Sequence, residues 1–134
     1  MSCIFCKIVA GELPSSCVYE DDTVFAFLDI APVQPGHVLL IPKTHVEKFC
    51  DADDETLAYI SKVAKKIANA VVTATKADGC TVSTNNGAAA GQEVFHFHWH
   101  IIPRFTGDNL NQWPHGSYKA GEKEIIASEI KELL

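Results

Sequence analysis

Residues Phe95-His96-Phe97-His98-Trp99-His100-Ile101-Ile102-Pro103 alternate histidine with large apolar side chains. A period of two belongs to an extended strand, whose successive side chains point to opposite faces. His96, His98 and His100 then share one face, while Phe97, Trp99 and Ile101 can anchor the other to a core. Such a strand calls for a sheet carrying a wall of imidazoles spaced about 7 Å apart. Three uses fit that wall. The histidines could face solvent on an exposed sheet. They could chelate a catalytic zinc with one position left open. Or one neutral imidazole could act as a nucleophile that holds a phosphoryl group transiently, with its neighbours and nearby amides steadying the phosphate oxygens. Periodicity leaves all three open.

The chain has 134 residues, 47% hydrophobic and 21% charged, which suits a single domain spanning 1–134 without disulfide staples. Disorder, collagen-like repeats and coiled coil are excluded by that composition. A net charge of −6 argues against a grip on long nucleic acid, although a small anionic ligand needs only a locally positive site. The start, MSCIFCKIVAGELP, has no signal-peptide pattern, and no apolar run is long enough to span a membrane. A cytoplasmic protein without membrane contact is expected, with the nucleus also open. Five cysteines form no disulfide framework, so Cys17, Cys50 and Cys80 are assigned to packing.

A short helix is expected from Ile4 to Val9, ended by Gly11 and Pro14. Cys17–Tyr19 and Thr23–Asp29 flank an acidic turn and read as a hairpin. His37–Ile41 is a strand entered through Pro35-Gly36. From Ala52 to Thr75 an apolar stripe of Leu57, Ile60, Ala64, Ile67 and Val71 marks a long helix, ended by Asp78-Gly79. Val82–Asn85 and Val94–Ile102 follow as strands, joined by a glycine-containing loop. A C-terminal helix should turn Ile125, Ile126, Ile130 and Leu133 inward. Strand runs with segregated helices predict an α+β fold with an antiparallel sheet of about five strands.

With these motifs in place, the sequence resembles the histidine triad (HIT) family. The signature His-φ-His-φ-His-φ-φ, φ being apolar, stands here as His96-Phe-His98-Trp-His100-Ile-Ile102. The likeness runs through CIFCKIVAGELPS, FLDIAPVQPGHVLLIPKTH and NNGAAAGQEVFHFHWHIIPR in the family's order, nearest to the Hint-like branch of nucleoside phosphoramidases and bacterial-type members. The resemblance implies a hydrolase or transferase acting on the α-phosphate of purine nucleoside 5′-phosphoramidates or similar conjugates. His98 would attack phosphorus, forming a nucleotidyl-histidine that water resolves to a nucleoside monophosphate. His100 would contact the α-phosphate, and His37 would support the triad as a fourth histidine. Asp29 would take the ribose hydroxyls. Asn85, Gly91 and Gln92 would line the phosphate and leaving-group side. Ile4, Phe5, Ile8, Phe27, Ile30 and Leu39 would form the base pocket. Other branches keep two alternatives open: a dinucleoside polyphosphate hydrolase, and a nucleotide-binding regulatory protein with incidental turnover. The family also implies a homodimer with a continuous sheet, and Trp113-Pro114-His115 resembles the tail that reaches toward a partner's active site.

Cys3-x-x-Cys6 has the spacing of a metal knuckle, but no second Cys-x-x-Cys completes it. It fits either two reduced thiols or half of a structural zinc site needing two histidines. His45 and His96 are available, and they match the zinc-binding members of the family. His96 would then be structural while His98 stays free. No acidic cluster suits magnesium. Glu93 stands where the eukaryotic Hint branch carries a serine that helps the leaving group, and a carboxylate beside a phosphate is repulsive unless protonated or turned away.

Overall fold

The structure is a computed structural model that describes residues 3–110 and 113–134. Helix α1 (Ile4–Val9) is followed by strands β1 (Cys17–Glu20), β2 (Val24–Leu28) and β3 (Val38–Pro42). Helix α2 (Asp54–Thr75), strands β4 (Gly79–Ser83) and β5 (Trp99–Arg104), and helix α3 (Glu122–Leu133) complete the chain. The sheet order is β1-β2-β3-β5-β4, with every neighbouring pair antiparallel. The fold is α+β with a five-stranded sheet, as the pattern of elements predicts.

Both faces of the central strands are apolar, and alternation divides them. Val24, Ala26, Val38 and Leu40 face α2, packing with Ile60, Val63, Ala64, Ile67, Val71, Phe97 and Ile101. Phe25, Phe27, Leu39 and Ile41 face the other way and pack under Phe5 of α1. The second cluster underlies the histidines. Phe5 meets His98 edge-on with ring centroids 5.1 Å apart.

Several boundaries depart from expectation. The histidine strand begins at Trp99, not Val94, because the ladder with β4 ends at the Ser83–His100 pair and the Phe97 amide instead donates to the Val46 carbonyl at 2.7 Å. The alternation survives without the ladder: Phe97 lies in the α2 core while His96 and His98 lie opposite. Strand β4 covers Gly79–Ser83, not Val82–Asn85. Helix α2 starts at Asp54, not Ala52, capped by the Asp53 carboxylate on the Thr56 amide at 2.7 Å. It ends in a left-handed residue at Lys76, so Gly79 is free to open β4. Cys17, Cys50 and Cys80 are exposed, not packed. In α3 no residue is buried, and Ile125, Ile126, Ile130 and Leu133 are exposed rather than inward. The 3.6-residue period identifies an apolar face but not the molecule that covers it.

Gly36 turns the chain into β3 and sets the approach of His37. Its φ is +98°, and a Cβ there would lie 2.7 Å from Thr75 Cγ2 and 3.4 Å from Pro103 Cγ. Gly36→Ala is expected to cost about 1–3 kcal/mol in equilibrium unfolding, from backbone strain plus overpacking. Wild-type stability in that variant would contradict this geometry.

Candidate functional site

Four histidines lie where β3 and β5 meet α1. His37 is 2% exposed, His96 0% and His98 7%, which excludes a solvent-facing wall. Main-chain partners assign each ring its tautomer. The His98 Nδ1–H donates to the His96 carbonyl at 2.6 Å, leaving Nε2 with a free lone pair. The Val33 amide donates to His37 Nδ1 at 3.1 Å, so His37 carries its proton on Nε2 and donates it to His100 Nδ1 at 2.9 Å. His100 then presents an Nε2–H donor. The His96 Nε2–H donates to the Pro42 carbonyl at 2.8 Å, which turns the His96 Nδ1 lone pair away from its neighbours in the triad. The three triad rings therefore do not converge on one point, and a three-histidine chelate is ruled out.

Burial pushes His37, His96 and His98 below the ordinary histidine range. His100 falls to about 4, first through burial and then through repulsion from His98 and His37, which outweighs attraction to Asp29. Asp29 Oδ2 is 3.8 Å from His37 Nδ1, but that nitrogen already accepts from Val33, so the pair is not an ion pair at neutral pH. A measurable consequence follows for stability. Unfolded His100 binds a proton near 6.5, whereas the folded ring waits until about 4. Protons therefore favour the unfolded chain, and stability present at pH 7 is lost as pH falls through that window. His100→Gln should show a flatter decline of Tm between about pH 6.5 and about 4. Equal slopes for variant and wild type would contradict the assignment.

Beside the triad, Cys3, Cys6, His45 and His96 each offer one ligand atom within 4.8 Å of the others. Cys3 caps α1, and the Cys6 amide donates to its Sγ at 3.4 Å. His96 Nδ1 lies 3.5 Å from Cys3 Sγ, 3.6 Å from Cys6 Sγ and 3.2 Å from His45 Nδ1, while Cys6 Sγ to His45 Nδ1 is 3.4 Å. A tetrahedral zinc with ordinary bond lengths spaces its donors about 3.3 Å (N to N) and about 3.6 Å (N to S) apart. The four donors fit that ion in type and in spacing.

The remaining candidates separate into those at the site and those with other work. Asp29 is half-buried with Oδ1 held by the Ala31 amide at 2.9 Å; Oδ2 remains for a ligand. Phe5, Phe27 and Leu39 form a buried apolar wall with Ile8 against it, while Ile4 is 47% exposed and Ile30 fully so. Ile30 is thus not part of the wall. Gln92 is buried, and its amide is occupied: Oε1 accepts from the Gly87 amide, and Nε2 donates to the Glu47 and Val94 carbonyls. It locks the loop, and the leaving-group role is not what its bonds serve. Asn85 is half-buried beside exposed Gly91, and Glu93 is exposed.

Sequence reasoning missed the main-chain groups that orient the rings, at Val33, Pro42 and His96, because peptide groups leave no residue signature. It also missed Thr84, whose hydroxyl donates to the His98 carbonyl at 2.8 Å, and Asn86, whose side chain accepts from the Phe49 amide. The run Asn85-Asn86-Gly87 reads as a turn, and the family likeness gives a ligand-side role to Asn85 alone.

The profile of the HIT domain family matches residues 10–107. The chain belongs to the histidine triad (HIT) family. A crystal structure of a HIT family member from Bacillus subtilis is 43% identical, with a TM-score of 0.91 over 100% of this chain and 98% of that one. The histidine triad nucleotide-binding protein of Candida albicans is 36% identical, with a TM-score of 0.84 over 98% and 96% of the two chains. A zinc-bound histidine triad family protein from Mycobacterium smegmatis is 37% identical, with a TM-score of 0.79 over 100% and 99%. No helix among the described residues of this HIT protein is long and apolar enough to cross a membrane.

Proposed function

We propose that this HIT protein is a cytoplasmic, homodimeric nucleotidyl hydrolase that cleaves purine nucleoside 5′-phosphoramidates or similar conjugates through His98. One observation carries the reading: the His98 Nδ1–H is committed to the His96 carbonyl, so Nε2 is unprotonated, next to a donor from His100, and free of any metal role. The family's nucleotide-binding members, including the Candida albicans protein, supply the ligand class.

The base would lie against Phe5, Phe27 and Leu39, and Asp29 Oδ2 would accept from the ribose hydroxyls. His98 Nε2 forms a bond to the α-phosphorus as the phosphorus–nitrogen bond to the leaving group breaks, and the departing amine takes a proton from solvent. The new positive charge on the His98 ring is steadied by its bond to the His96 carbonyl. The His100 Nε2–H donates to a phosphate oxygen, its position fixed through His37 by the Val33 amide. Water then attacks phosphorus, the bond to His98 breaks, and monophosphate and a proton leave. Cys3, Cys6, His45 and His96 would hold a structural zinc ion, which ties α1 to the triad strand; with four protein ligands it has no open position for substrate. Purified protein should turn over an adenosine phosphoramidate faster than a diadenosine polyphosphate. The reverse order would move the protein to the polyphosphate branch, and tight monophosphate binding without turnover of either would leave a binding protein.

A further inference from the structure

The loop between β2 and β3 supplies the Val33 amide that sets the tautomer of His37, yet few bonds hold it. Residues Ile30 to Val33 and Pro35 are exposed. Its own bonds are local: the Ala31 amide donates to Asp29, and the His37 amide donates to the Gln34 carbonyl at 3.0 Å. Among the described residues, one hydrogen bond leaves residues 30–36 for a distant part of the chain. Gln34 Nε2 donates to Asp108 Oδ2 at 3.4 Å. The receiving carboxylate is firmly held. Arg104 Nε and one of its terminal nitrogens reach the two oxygens at 2.8 and 3.1 Å. The Phe105 and Leu110 amides donate to the same group at 3.1 Å each. The Arg104 guanidinium holds Asp108 well below the usual carboxylate range. The group is then an acceptor only, and Gln34 must turn its amide nitrogen toward it.

Arg104 ends β5 on the face that His100 shares. The bonds therefore close a circuit: His100 to His37, His37 to Val33, Gln34 to Asp108, Asp108 to Arg104, and back along β5. We propose that Gln34 is a positioning residue: its bond to Asp108 pins the loop so that the Val33 amide stays on His37 Nδ1 and His100 keeps its proton on Nε2. The proposal rests on the hydrolase reading and deepens it, since that proton is the donor offered to the phosphate. The competing arrangement is close at hand. Asp29 Oδ2 lies 3.8 Å from His37 Nδ1 and can accept a proton carried there. Once the loop withdraws the Val33 amide, His37 is free to hold its proton on Nδ1. Its Nε2 lone pair then faces His100 Nδ1, and His100 places its own proton on Nδ1 to meet it. The Nε2 donor is lost although no atom of the site has been removed.

The test pairs imidazole nitrogen NMR of the zinc-loaded full chain with kinetics of Gln34→Lys, Gln34→Ala and Gln34→Glu. The lysine ammonium can still donate to Asp108, the alanine reaches nothing, and the glutamate keeps the shape of glutamine but is repelled. In wild type and Gln34→Lys, His37 and His100 should each show a protonated Nε2. In Gln34→Ala and Gln34→Glu their nitrogen shifts should move toward tautomer exchange. On an adenosine phosphoramidate, kcat should fall roughly 10- to 100-fold in those two variants, with KM changed about twofold or less. Gln34→Lys should recover most of the loss. Melting curves near wild type check that each variant is folded. Wild-type tautomers in Gln34→Glu, or displaced tautomers with wild-type kcat, would overturn the proposal. The spectra need no substrate, so they decide the role of Gln34 even if wild type cleaves no phosphoramidate, a result that would sink the hydrolase reading alone.

Discussion

His98→Ala should lower kcat on an adenosine phosphoramidate by about 10⁴-fold or more, equivalent to about 5.5 kcal/mol of barrier. Affinity for a nucleoside monophosphate, measured by calorimetry, should change much less, because the apolar wall and Asp29 are untouched. The size of the effect follows from the tautomers. Among the triad rings only His98 combines an Nδ1–H spent on a carbonyl with an Nε2 free to attack. His100 accepts from His37 at Nδ1 and so keeps its proton on Nε2, and His96 turns its lone pair toward Cys3 and Cys6. His98 is buried, so His98→Asn is the companion variant: it keeps a polar group of similar reach near the carbonyl but cannot attack phosphorus. Both should be inactive, with melting curves close to wild type for the second. Substantial turnover by either would remove His98 from the chemistry.

Replacing Cys3 and Cys6 together by serine should abolish zinc binding, measured as metal per chain, and cost on the order of 3–5 kcal/mol of stability, or roughly 10–20 °C in Tm. Four donors converging within 4.8 Å would become two imidazoles and two hydroxyls with no ion to hold them. Since α1 supplies Phe5 to the cluster beneath the triad, loosening it should also raise KM more than it lowers kcat. A purified wild-type protein with no zinc, or a double variant that keeps one ion per chain, would refute the site.

Much of this was readable in the sequence, and the reasons are specific. Period-two alternation placed Phe97 and Ile101 in the α2 core and His96, His98 and His100 on the opposite side, even where no strand ladder forms. The apolar stripe of α2 emerged nearly residue for residue. The four donors that converge beside the triad came from the Cys3-x-x-Cys6 spacing joined to the family likeness, not from spacing alone. What escaped depends on peptide groups or on contacts far apart in sequence. The Val33 amide that sets the His37 tautomer is invisible to residue type. Gln92 has the chemistry of a phosphate contact, and only its three bonds to backbone reveal a loop lock. Helix α3 was amphipathic by inspection, but its apolar face finds no cover among the described residues.

Trapping the covalent intermediate tests the central claim most directly. Protein mixed with excess nucleoside phosphoramidate and quenched in alkali within milliseconds, where phosphorylated imidazole survives, would be digested and read by mass spectrometry. A nucleoside monophosphoryl group on His98, formed and lost at rates matching turnover and absent from His98→Asn, is the predicted result. Catalytic turnover with no adduct, or an adduct on any other residue, would contradict it.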